Sequence, residues 1–486
     1  MSAPDQRLEL AQLQTLVVHG YAHDHCRYFI FTIEERAAAR RFLARLKADR
    51  WIEPANHRSH GHPRHPTPIS VALTYRGLQV LGLRKPFLHV LQRRATAFYE
   101  GPQPRAASRL ADTGQSAPRY WDPRFDRDAA HVLLAVHGDD PSRLADAQAE
   151  LMRLAGTAFA AAGWEAPFET SHLKQQSADI TRRKVHFGFV DGISKVLIQG
   201  VPQHDALDPG HKKAHAPGEF VLGYANDKGY NPWLLPDEPP DTGVQPPGPG
   251  EVRTPPVWRP ADFFRNGSFA ALRDMAQHEA AFRGYTEARA GQLGVDPVYL
   301  QAKMLGRWPE GGVVKPGHEV APEPGGDGLD DFDFSDDPQG QGCPFGAHVR
   351  RMNPRADGIV PFRRRPLIRR GMPYGPAWEK GEEDGARPRG LIGLFICASL
   401  EEQFEHLVSE WGDASPMGTP NKGNAKDPLI GNHVNAAAFF DIPMATEQLR
   451  RLDGLRPFVT TRGTVYLFFP GLAVLQNLHN ANVFDQ

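Results

Sequence analysis

The first half of the chain alternates between short apolar segments and segments whose apolar residues recur at helical spacing. Short β-branched and aromatic runs predict strands, and a spacing of three to four residues predicts helices. The predicted elements are a strand at Cys26–Ile33, a helix at 34–50, strands at Pro68–Tyr75 and His131–Gly138, and a helix from Ser142, its predicted N-cap, to about Ala162. A strand–helix–strand order that occurs twice predicts a ferredoxin-like α+β domain.

The far end of the chain repeats this pattern. Its predicted elements are a buried strand at Leu391–Leu400, a helix at Leu400–Trp411, a strand at Gly463–Phe469 and a short helix at Leu472–Leu478. A chain of 486 residues is too long for one ordinary core, so we expect two domains. We predict an N-terminal ferredoxin-like domain at 1–208 and a C-terminal one at 209–486. Two loops rich in Pro, Gly or acidic residues, Asp237–Pro260 and Ala321–Gln341, interrupt the second half.

Composition narrows the class of protein. The chain has 56 Lys and Arg against 57 Asp and Glu, so no global field marks a nucleic-acid binder. The three cysteines are far apart and form no CxxC pair, which predicts neither a disulfide framework nor a zinc site. The N-terminus lacks an apolar signal region, and the longest apolar run is too short for a bilayer. These features predict a cytoplasmic protein without nucleic-acid or membrane partners.

The common catalytic signatures GxSxG, HExxH and GxxxxGK[ST] are absent, and no GxGxxG opens a helix after a strand. Three polar segments remain: HFGFVDGIS (His186–Ser194), CPFGAHVRRMNPR (Cys343–Arg355) and LIRRGMPYG (Leu367–Gly375). Each is ordinary by itself. Asp-Gly is a common turn, most histidines are structural, and paired arginines usually form a solvated face.

Together these segments resemble those of the dye-decolourising (DyP-type) haem peroxidases, particularly the longer members of that family. The first segment is similar to the family's GxxDG motif, with Gly188, Asp191 and Gly192 at its fixed positions. The second is similar to the segment that supplies the proximal haem histidine, here His348, and the third to the segment with the distal arginine, here Arg369. Further segments resemble the family in the same order, so the resemblance covers nearly the whole chain: 73–83, 218–229, 266–275, 303–312 and 458–472.

The resemblance implies two ferredoxin-like domains whose antiparallel sheets together form a barrel-like core with helices outside. It also implies a haem b cofactor held mainly by the second domain, with hydrogen peroxide and an organic reductant such as a dye or a phenol as substrates. Asp191 would shuttle the peroxide proton, Arg369 would stabilise developing charge, and His348 would ligate the iron.

Further positions follow from the resemblance as haem contacts. They are Gly188 and Gly192, which would let the backbone approach the macrocycle, Arg355, which would bind a propionate, and Leu394, which would line the distal pocket. Alternation along the strand would put Ile396 on the same face as Leu394, so it would line that pocket too. Since a carboxylate loses its basic form near pH ~4 and a histidine near pH ~6.5, an aspartate shuttle predicts activity at acidic pH.

Several alternatives stay open at the sequence level. Asp427 is a candidate partner for the second nitrogen of His348, but its place in DPLIG favours a helix-capping or turn role. Tyr374, Trp378 and Trp411 could relay electrons or simply pack. The chain could instead be a haem-binding or iron-handling protein with incidental peroxidase activity, or a haem-free scaffold. The oligomeric state is left open, a homo-oligomer included.

Overall fold

The computed structural model describes most of the chain. It covers residues 7–57, 65–175, 182–208, 214–234, 258–317, 330, 332–355, 365–414, 426–434, 438–444 and 449–485. The predicted loop at 237–260 therefore lies almost entirely outside the described residues, as does much of the acidic run at 321–341.

The strands are β1 His25–Phe31, β2 Ile69–Leu73, β3 Val132–Gly138, β4 Phe168–Ser171, β5 Leu173–Gln175, β6 Arg182–Lys184, β7 Ser268–Gln277, β8 Ile368–Arg369, β9 Met372–Tyr374, β10 Gly390–Cys397, β11 Phe439–Pro443, β12 Leu449–Asp453 and β13 Val459–Phe469. The helices are α1 Thr15–Val18, α2 Arg36–Ala48, α3 Tyr75–Val80, α4 Lys85–Arg94, α5 Thr96–Glu100, α6 Pro102–Arg109, α7 Pro141–Ala155, α8 Ala162–Glu165, α9 Pro202–Leu207, α10 Pro260–Phe264, α11 Glu279–Leu293, α12 Pro297–Leu305, α13 His348–Met352 and α14 Leu472–Gln476. Leu400–Glu405 and Leu407–Gly412 are π-helical.

Nine strands of the described chain form one antiparallel sheet, in the order β4-β1-β3-β2-β13-β7-β10-β8 with β9 also pairing with β10. Strands β1–β4 come from the first half of the sequence and the others from the second. The two halves meet at a single register pair, Phe468 of β13 opposite Leu73 of β2. The division into domains at residue 208 stays a prediction.

The two ends of this sheet approach each other, which gives the sheet the barrel-like form expected. Thr170 of β4 donates a hydrogen bond from its hydroxyl to the sulfur of Met372 in β9, at 3.5 Å. Alternate residues of successive strands point to the same side, so one face of a closed sheet must enclose a core. One buried cluster holds such alternate residues, among them Tyr28, Leu272 and Leu394.

The opposite face of the sheet is covered by helices. Phe29 and Phe31 of β1 alternate with the inward residues and pack with Phe42 and Leu46 of α2 in a second, larger buried cluster. This arrangement of an antiparallel sheet with helices on its outside is the α+β fold that the pattern predicted.

The predicted strands and helices lie where the pattern placed them, with differences at their ends. The second long helix ends at Ala155, not near Ala162. Its N-cap is Asp140, whose carboxylate accepts a hydrogen bond from the N–H of Ser142 at 2.6 Å, so the prediction of Ser142 as the cap was wrong. An aspartate two residues earlier caps equally well, and Pro141 then occupies the first turn, where its missing N–H costs nothing.

No helix in the described ranges is long and apolar enough to cross a membrane.

Candidate active site

The HFGFVDGIS segment is a loop that the surrounding structure holds at several points. His186 Nε2 lies 2.7 Å from the carbonyl oxygen of Tyr374, which follows the paired arginines. The N–H of Val190 donates to the carbonyl of Pro309 at 2.9 Å. Phe187 and Phe189 are buried in a separate hydrophobic cluster. The loop is therefore anchored by its apolar residues and its backbone.

Asp191 and its two glycines are left at the outer side of this anchored loop. Gly188 and Gly192 have φ values of +85° and +78°, a conformation that strongly favours glycine. A Cβ built on Gly192 would meet nothing within 4 Å. Asp191 is exposed, and its carboxylate makes no hydrogen bond or ion pair with the described part of the chain.

His348 opens helix α13, and one of its two ring nitrogens is engaged. Its Nδ1 lies 2.8 Å from Oδ2 of Asp427, and its side chain is 25% exposed. Because Nδ1 is engaged, Nε2 is the nitrogen available to a metal. The open Nε2 makes His348 a candidate single axial ligand. No group of three or more His, Cys, Asp or Glu side chains in the described ranges could hold a metal ion.

Asp427 performs both roles that the sequence left open. Its Oδ1 accepts hydrogen bonds from the N–H groups of Leu429 at 2.9 Å and Ile430 at 3.1 Å, which is a turn-capping role. Its Oδ2 is the partner of His348. Burial alone would raise the pKa of Asp427, but His348, Arg351 and the Ile430 N–H together lower it. An ionised carboxylate thus faces the imidazole and fixes its orientation.

Arg355 lies in a polar cluster with the end of the HFGFVDGIS loop. Its guanidinium pairs with the carboxylate of Asp330, and it also lies 3.4 Å from the hydroxyl of Ser194. Ser194 donates to Asp330 at 2.8 Å. Arg355 is a non-glycine residue with φ +54°, and its buried Nε has no hydrogen-bond partner among the residues that the structure describes. A strained backbone and a spare buried donor are typical of a binding position.

Arg307 completes this cluster and was not singled out from the sequence. It is 5% exposed and donates to the Ser194 hydroxyl at 3.2 Å. The adjacent Gly306 has φ +96°, and a Cβ there would come within 2.9 Å of the Cys343 sulfur and 3.1 Å of Val349 Cβ. This close approach brings the start of α13, and with it His348, beside Arg307. The sequence did contain a signal for Arg307, because this residue lies in KMLGRWPEGG, one of the segments that resemble the DyP-type family and occur in the same order along the chain.

The two arginines of LIRRGMPYG have different surroundings. Arg370 donates from Nε to the carbonyl of Leu16 at 3.1 Å and from Nη2 to that of Val18 at 2.9 Å. Arg369 is exposed, and its guanidinium makes no hydrogen bond or ion pair within the described ranges. The first arginine of the pair is therefore the one available to a ligand.

Electrostatics connect Arg369 with the polar cluster. Burial and, to a smaller extent, the positive charges of Arg355 and Arg369 lower the pKa of Arg307 to about 10, although Asp330 opposes them. Three guanidinium groups thus concentrate positive charge beside the HFGFVDGIS loop. Such a field favours anionic ligand groups and developing negative charge.

The structure does not bring Leu394 and Ile396 to the Arg369 side of the sheet. Arg369 is opposite Phe395 in the β8–β10 register, whereas Ile368 is opposite Ile396. Directly paired residues lie on the same face, so Leu394 and Ile396 point into the barrel, where both are fully buried. Leu394 and Ile396 do share a face of the strand. Arg369 lies on the other face, next to Phe395.

The three candidate relay residues have distinct surroundings. Tyr374 is largely buried beside Asp274, and burial raises its pKa. Trp411 is buried, and its carbonyl accepts from Arg351 at 2.5 Å. Trp378 is half-buried under the guanidinium of Arg283, 5.0 Å from the ring centroid. Their role as relays stays a prediction.

The donor set suits the haem that the motifs imply. An imidazole with one nitrogen engaged leaves the other for iron, and Arg307 and Arg355 supply cations for propionate carboxylates. The orphaned Nε of Arg355 and the open space at Gly192 fit a large planar ligand with anionic edges.

Known proteins support the same assignment. No family model matches the chain. It is 27% identical over 505 residues to the dye-decolorizing peroxidase msp1 of Mycetinis scorodonius, covering 97% of this chain and 88% of that protein. It is 25% identical over 491 residues to the multifunctional dye peroxidase DyP2 of Amycolatopsis sp., covering 96% of each.

Solved structures share the fold. A DyP-type peroxidase from Anabaena sp. superposes with a TM-score of 0.73 at 19% identity, covering 96% of this chain and 94% of that one. A fungal DyP-type peroxidase from Auricularia auricula-judae gives 0.74 at 20% identity, covering 97% and 99%. The ordered motifs, the similar sequences and the shared fold make this chain similar, over nearly its whole length, to dye-decolourising (DyP-type) peroxidases, which are oxidoreductases that act on peroxide.

Proposed function

We propose that this peroxidase reduces hydrogen peroxide and oxidises dyes and phenols with Asp191 as proton shuttle, Arg369 as fixed cation and His348 as the axial ligand of haem b. The observation that carries the proposal is the 2.8 Å contact between His348 Nδ1 and a fully buried, ionised Asp427. Two other histidines, His23 and His215, also contact a carboxylate, but those carboxylates are 63% and 31% exposed, whereas that of Asp427 is 0% exposed.

On the proximal side, His348 would bind iron through Nε2. The carboxylate of Asp427 accepts a hydrogen bond from the N–H at Nδ1. This contact fixes the tautomer of the imidazole and makes Nε2 a stronger electron-pair donor to iron. The turn at Leu429 and Ile430 holds the other oxygen of Asp427, so the carboxylate cannot rotate away. Bound haem would supply the iron at which the peroxide oxygen–oxygen bond is cleaved.

On the opposite side, Asp191 and Arg369 would divide the remaining work. The carboxylate of Asp191 takes the proton from one peroxide oxygen and returns it to the other, which leaves as water. The guanidinium of Arg369 stays protonated and stabilises negative charge as that bond breaks. Both side chains are exposed and lack partners in the described chain, so neither must break an internal contact before acting.

At the edge of the site, Arg355 and Arg307 would bind the haem propionates. Their shared partner Asp330 balances part of their charge, and Ser194 joins them to the loop that carries Asp191. This link would couple the seating of the haem to the position of the proton shuttle.

The adjacent arginines provide a matched test of the distal role. Arg369→Leu should lower kcat for a dye with hydrogen peroxide by about 10²–10³-fold, the cost of removing one charge-stabilising donor. Arg370→Leu removes hydrogen bonds to three backbone carbonyls, those of Leu16, Val18 and Arg369, and should reduce thermal stability while changing kcat by less than about threefold. Equal kinetic losses in the two variants would contradict the assignment of Arg369.

Two further variants separate rate from cofactor binding. Asp191→Asn should retain a normal Soret band and lose about 10²–10⁴-fold in rate. His348→Ala should weaken or abolish haem binding, so a normal Soret spectrum in that variant would refute it as the ligand.

The alternative of a haem-binding or iron-handling protein is not favoured, since the similar proteins are named peroxidases. Turnover of a dye with peroxide by the purified holoenzyme, measured against haemin alone, tests this directly.

A further inference from the structure

A cavity of about 270 Å³ lies outside the candidate active site. None of the residues that line it belongs to the three motif segments. Its walls come from α3, α5, the segment before β3, and β13, and four of them are aromatic: Tyr75, Phe98, Tyr99 and Tyr466. These elements thus form a pocket that lies apart from the residues proposed for the peroxide chemistry.

The aromatic walls are held in place by contacts of their own. Tyr75 and Tyr99 meet edge to face, with ring centroids 5.1 Å apart, and Tyr75 and Phe98 do the same at 6.1 Å. The Tyr75 hydroxyl accepts a hydrogen bond from Gln92 at 3.0 Å. Tyr99 is half-buried, and its hydroxyl makes no hydrogen bond to the described chain, so it can donate to a ligand.

The rim of the cavity carries a net positive charge. Arg76, Arg127 and Asp128 are exposed there, two cations against one carboxylate. The nearest approach of Arg76 Nε to Asp128 Oδ1 is 3.8 Å, too long for a good hydrogen bond. Within the described residues, Arg127 makes a single hydrogen-bond contact, at 3.4 Å to the carbonyl oxygen of Tyr99. Both guanidinium groups therefore keep donors for an anion.

Size restricts the ligand to a small one. Pockets for drug-sized ligands measure roughly 300–1,000 Å³, so this cavity fits a single substituted ring and excludes a polycyclic dye. An aromatic interior below a cationic rim is complementary to a ring that carries one carboxylate.

We propose that this cavity binds a single-ring phenolic carboxylate as a reducing substrate, at a site separate from the pocket beside Arg369. The ring would pack among Tyr75, Tyr99 and Tyr466, and the carboxylate would meet Arg127 at the rim. Only the role as reductant rests on the proposed peroxidase function, since the binding does not require it.

The back wall connects the cavity to the outer face of the sheet that carries Arg369. The buried Tyr466 donates a hydrogen bond to Glu405 at 2.8 Å, and its ring lies 6.2 Å from that of Phe404. Phe404 lies 5.3 Å from Phe395, which is opposite Arg369 in the sheet register. A ligand in the cavity is thus separated from the Arg369 face by packed aromatic rings.

Calorimetric titration of the resting holoenzyme, without peroxide, tests the binding. 4-Hydroxybenzoate should bind saturably, one per chain, and should leave the Soret band unshifted because it does not reach the haem. Arg127→Gln should weaken its binding about fivefold while changing that of the neutral 4-hydroxybenzamide by less than twofold. Asp128→Asn should tighten the benzoate about twofold, and Arg143→Gln, an exposed arginine on α7, should change neither.

Kinetics supply the second measurement. In Arg127→Gln the KM for 4-hydroxybenzoate should rise about fivefold, with its kcat and the KM of a bulky dye unchanged. Absence of saturable binding to a holoenzyme that still turns over a dye would refute the cavity site alone. Binding that shifts the Soret band and disappears in Arg369→Leu would place the ligand in the other pocket and also overturn the proposal. If the holoenzyme binds the benzoate as described but oxidises nothing, the proposed function fails and the binding site stands.

Discussion

Replacing Asp427 by Asn isolates the contact on which the proximal assignment depends. The side chains have nearly the same shape, and an amide oxygen can still accept the N–H groups of Leu429 and Ile430. The other terminal atom, however, becomes an NH₂ donor 2.8 Å from His348 Nδ1. Two donors cannot face each other, so Nδ1 must give up its proton to accept, and the proton then occupies the Nε2 that should bind iron.

The size of the effect follows from this conflict. Loss of a carboxylate partner behind a metal-binding histidine typically costs 10–100-fold in affinity or activity, which is about 1.4–2.8 kcal/mol. Asp427 is fully buried, so water cannot easily replace it, and we expect the upper part of that range. The assay is a haemin titration of the apoprotein followed at the Soret band, with the iron reduction potential as a second readout.

Two controls make the result specific. In a His348→Ala background, Asp427→Asn should cause no further loss of haem affinity, since a double-mutant cycle removes effects that do not pass through the pair. Asp112→Asn breaks a buried pair with Arg273 that includes neither His348 nor Asp427, and it should lower stability without changing haem affinity. An Asp427→Asn variant with wild-type haem affinity and reduction potential would refute the proximal assignment.

Three further predictions test other parts of the structure. Burial raises the pKa of Asp274 from 3.8 to about 6, so its contribution to stability is full below pH ~4 and lost as pH rises through 6. At pH 8 the buried charge costs about 3 kcal/mol of unfolding free energy, so Asp274→Asn should raise Tm there by up to about 3 °C. At pH 4 the same substitution should have little effect. An equal rise in Tm at both pH values would contradict a buried carboxylate with a raised pKa. Leu394→Ala and Ile396→Ala should each cost about 2–5 kcal/mol of stability and leave the steady-state kinetics unchanged. Phe395→Ala, next to Arg369, should alter the kinetics. The reverse pattern would show that the substrate pocket is lined by the inner face of the strand. Dye turnover should persist at pH 5, and a kcat/KM profile that collapses below about pH 6 would count against Asp191 as the proton shuttle.

The sequence predicted the strands well because their apolar patterns are strong, but it could not give every side chain its direction. The alternation of Leu394 and Ile396 correctly placed both on one face of β10. That strand is buried on both faces, so its hydrophobic run contains no sign of which face is inside. Only the pairing of Phe395 with Arg369 decides the matter, and that pairing joins residues 26 positions apart.

Tertiary contacts explain the other differences. The role of Asp427 was ambiguous because a capping turn is local, whereas its contact with His348 spans 79 residues. Arg307 carried no local pattern that distinguishes a site residue from a surface one. Its burial and its contact with Ser194, 113 residues away, exist only in the folded chain.

The arginines of the motif segments show how the fold separates structural from chemical roles. Arg350 is buried and bonded to Asp337 and the Cys343 carbonyl, Arg351 donates to two carbonyls, and Arg370 holds the N-terminal segment. Each would leave buried acceptors unsatisfied if it moved, at a cost of about 1–3 kcal/mol per group. The guanidinium of Arg369 makes no such hydrogen bonds within the described chain. Under the proposed function, the lack of internal partners at Arg369 and Asp191 within the described chain leaves both side chains available to peroxide without first breaking a contact to the protein.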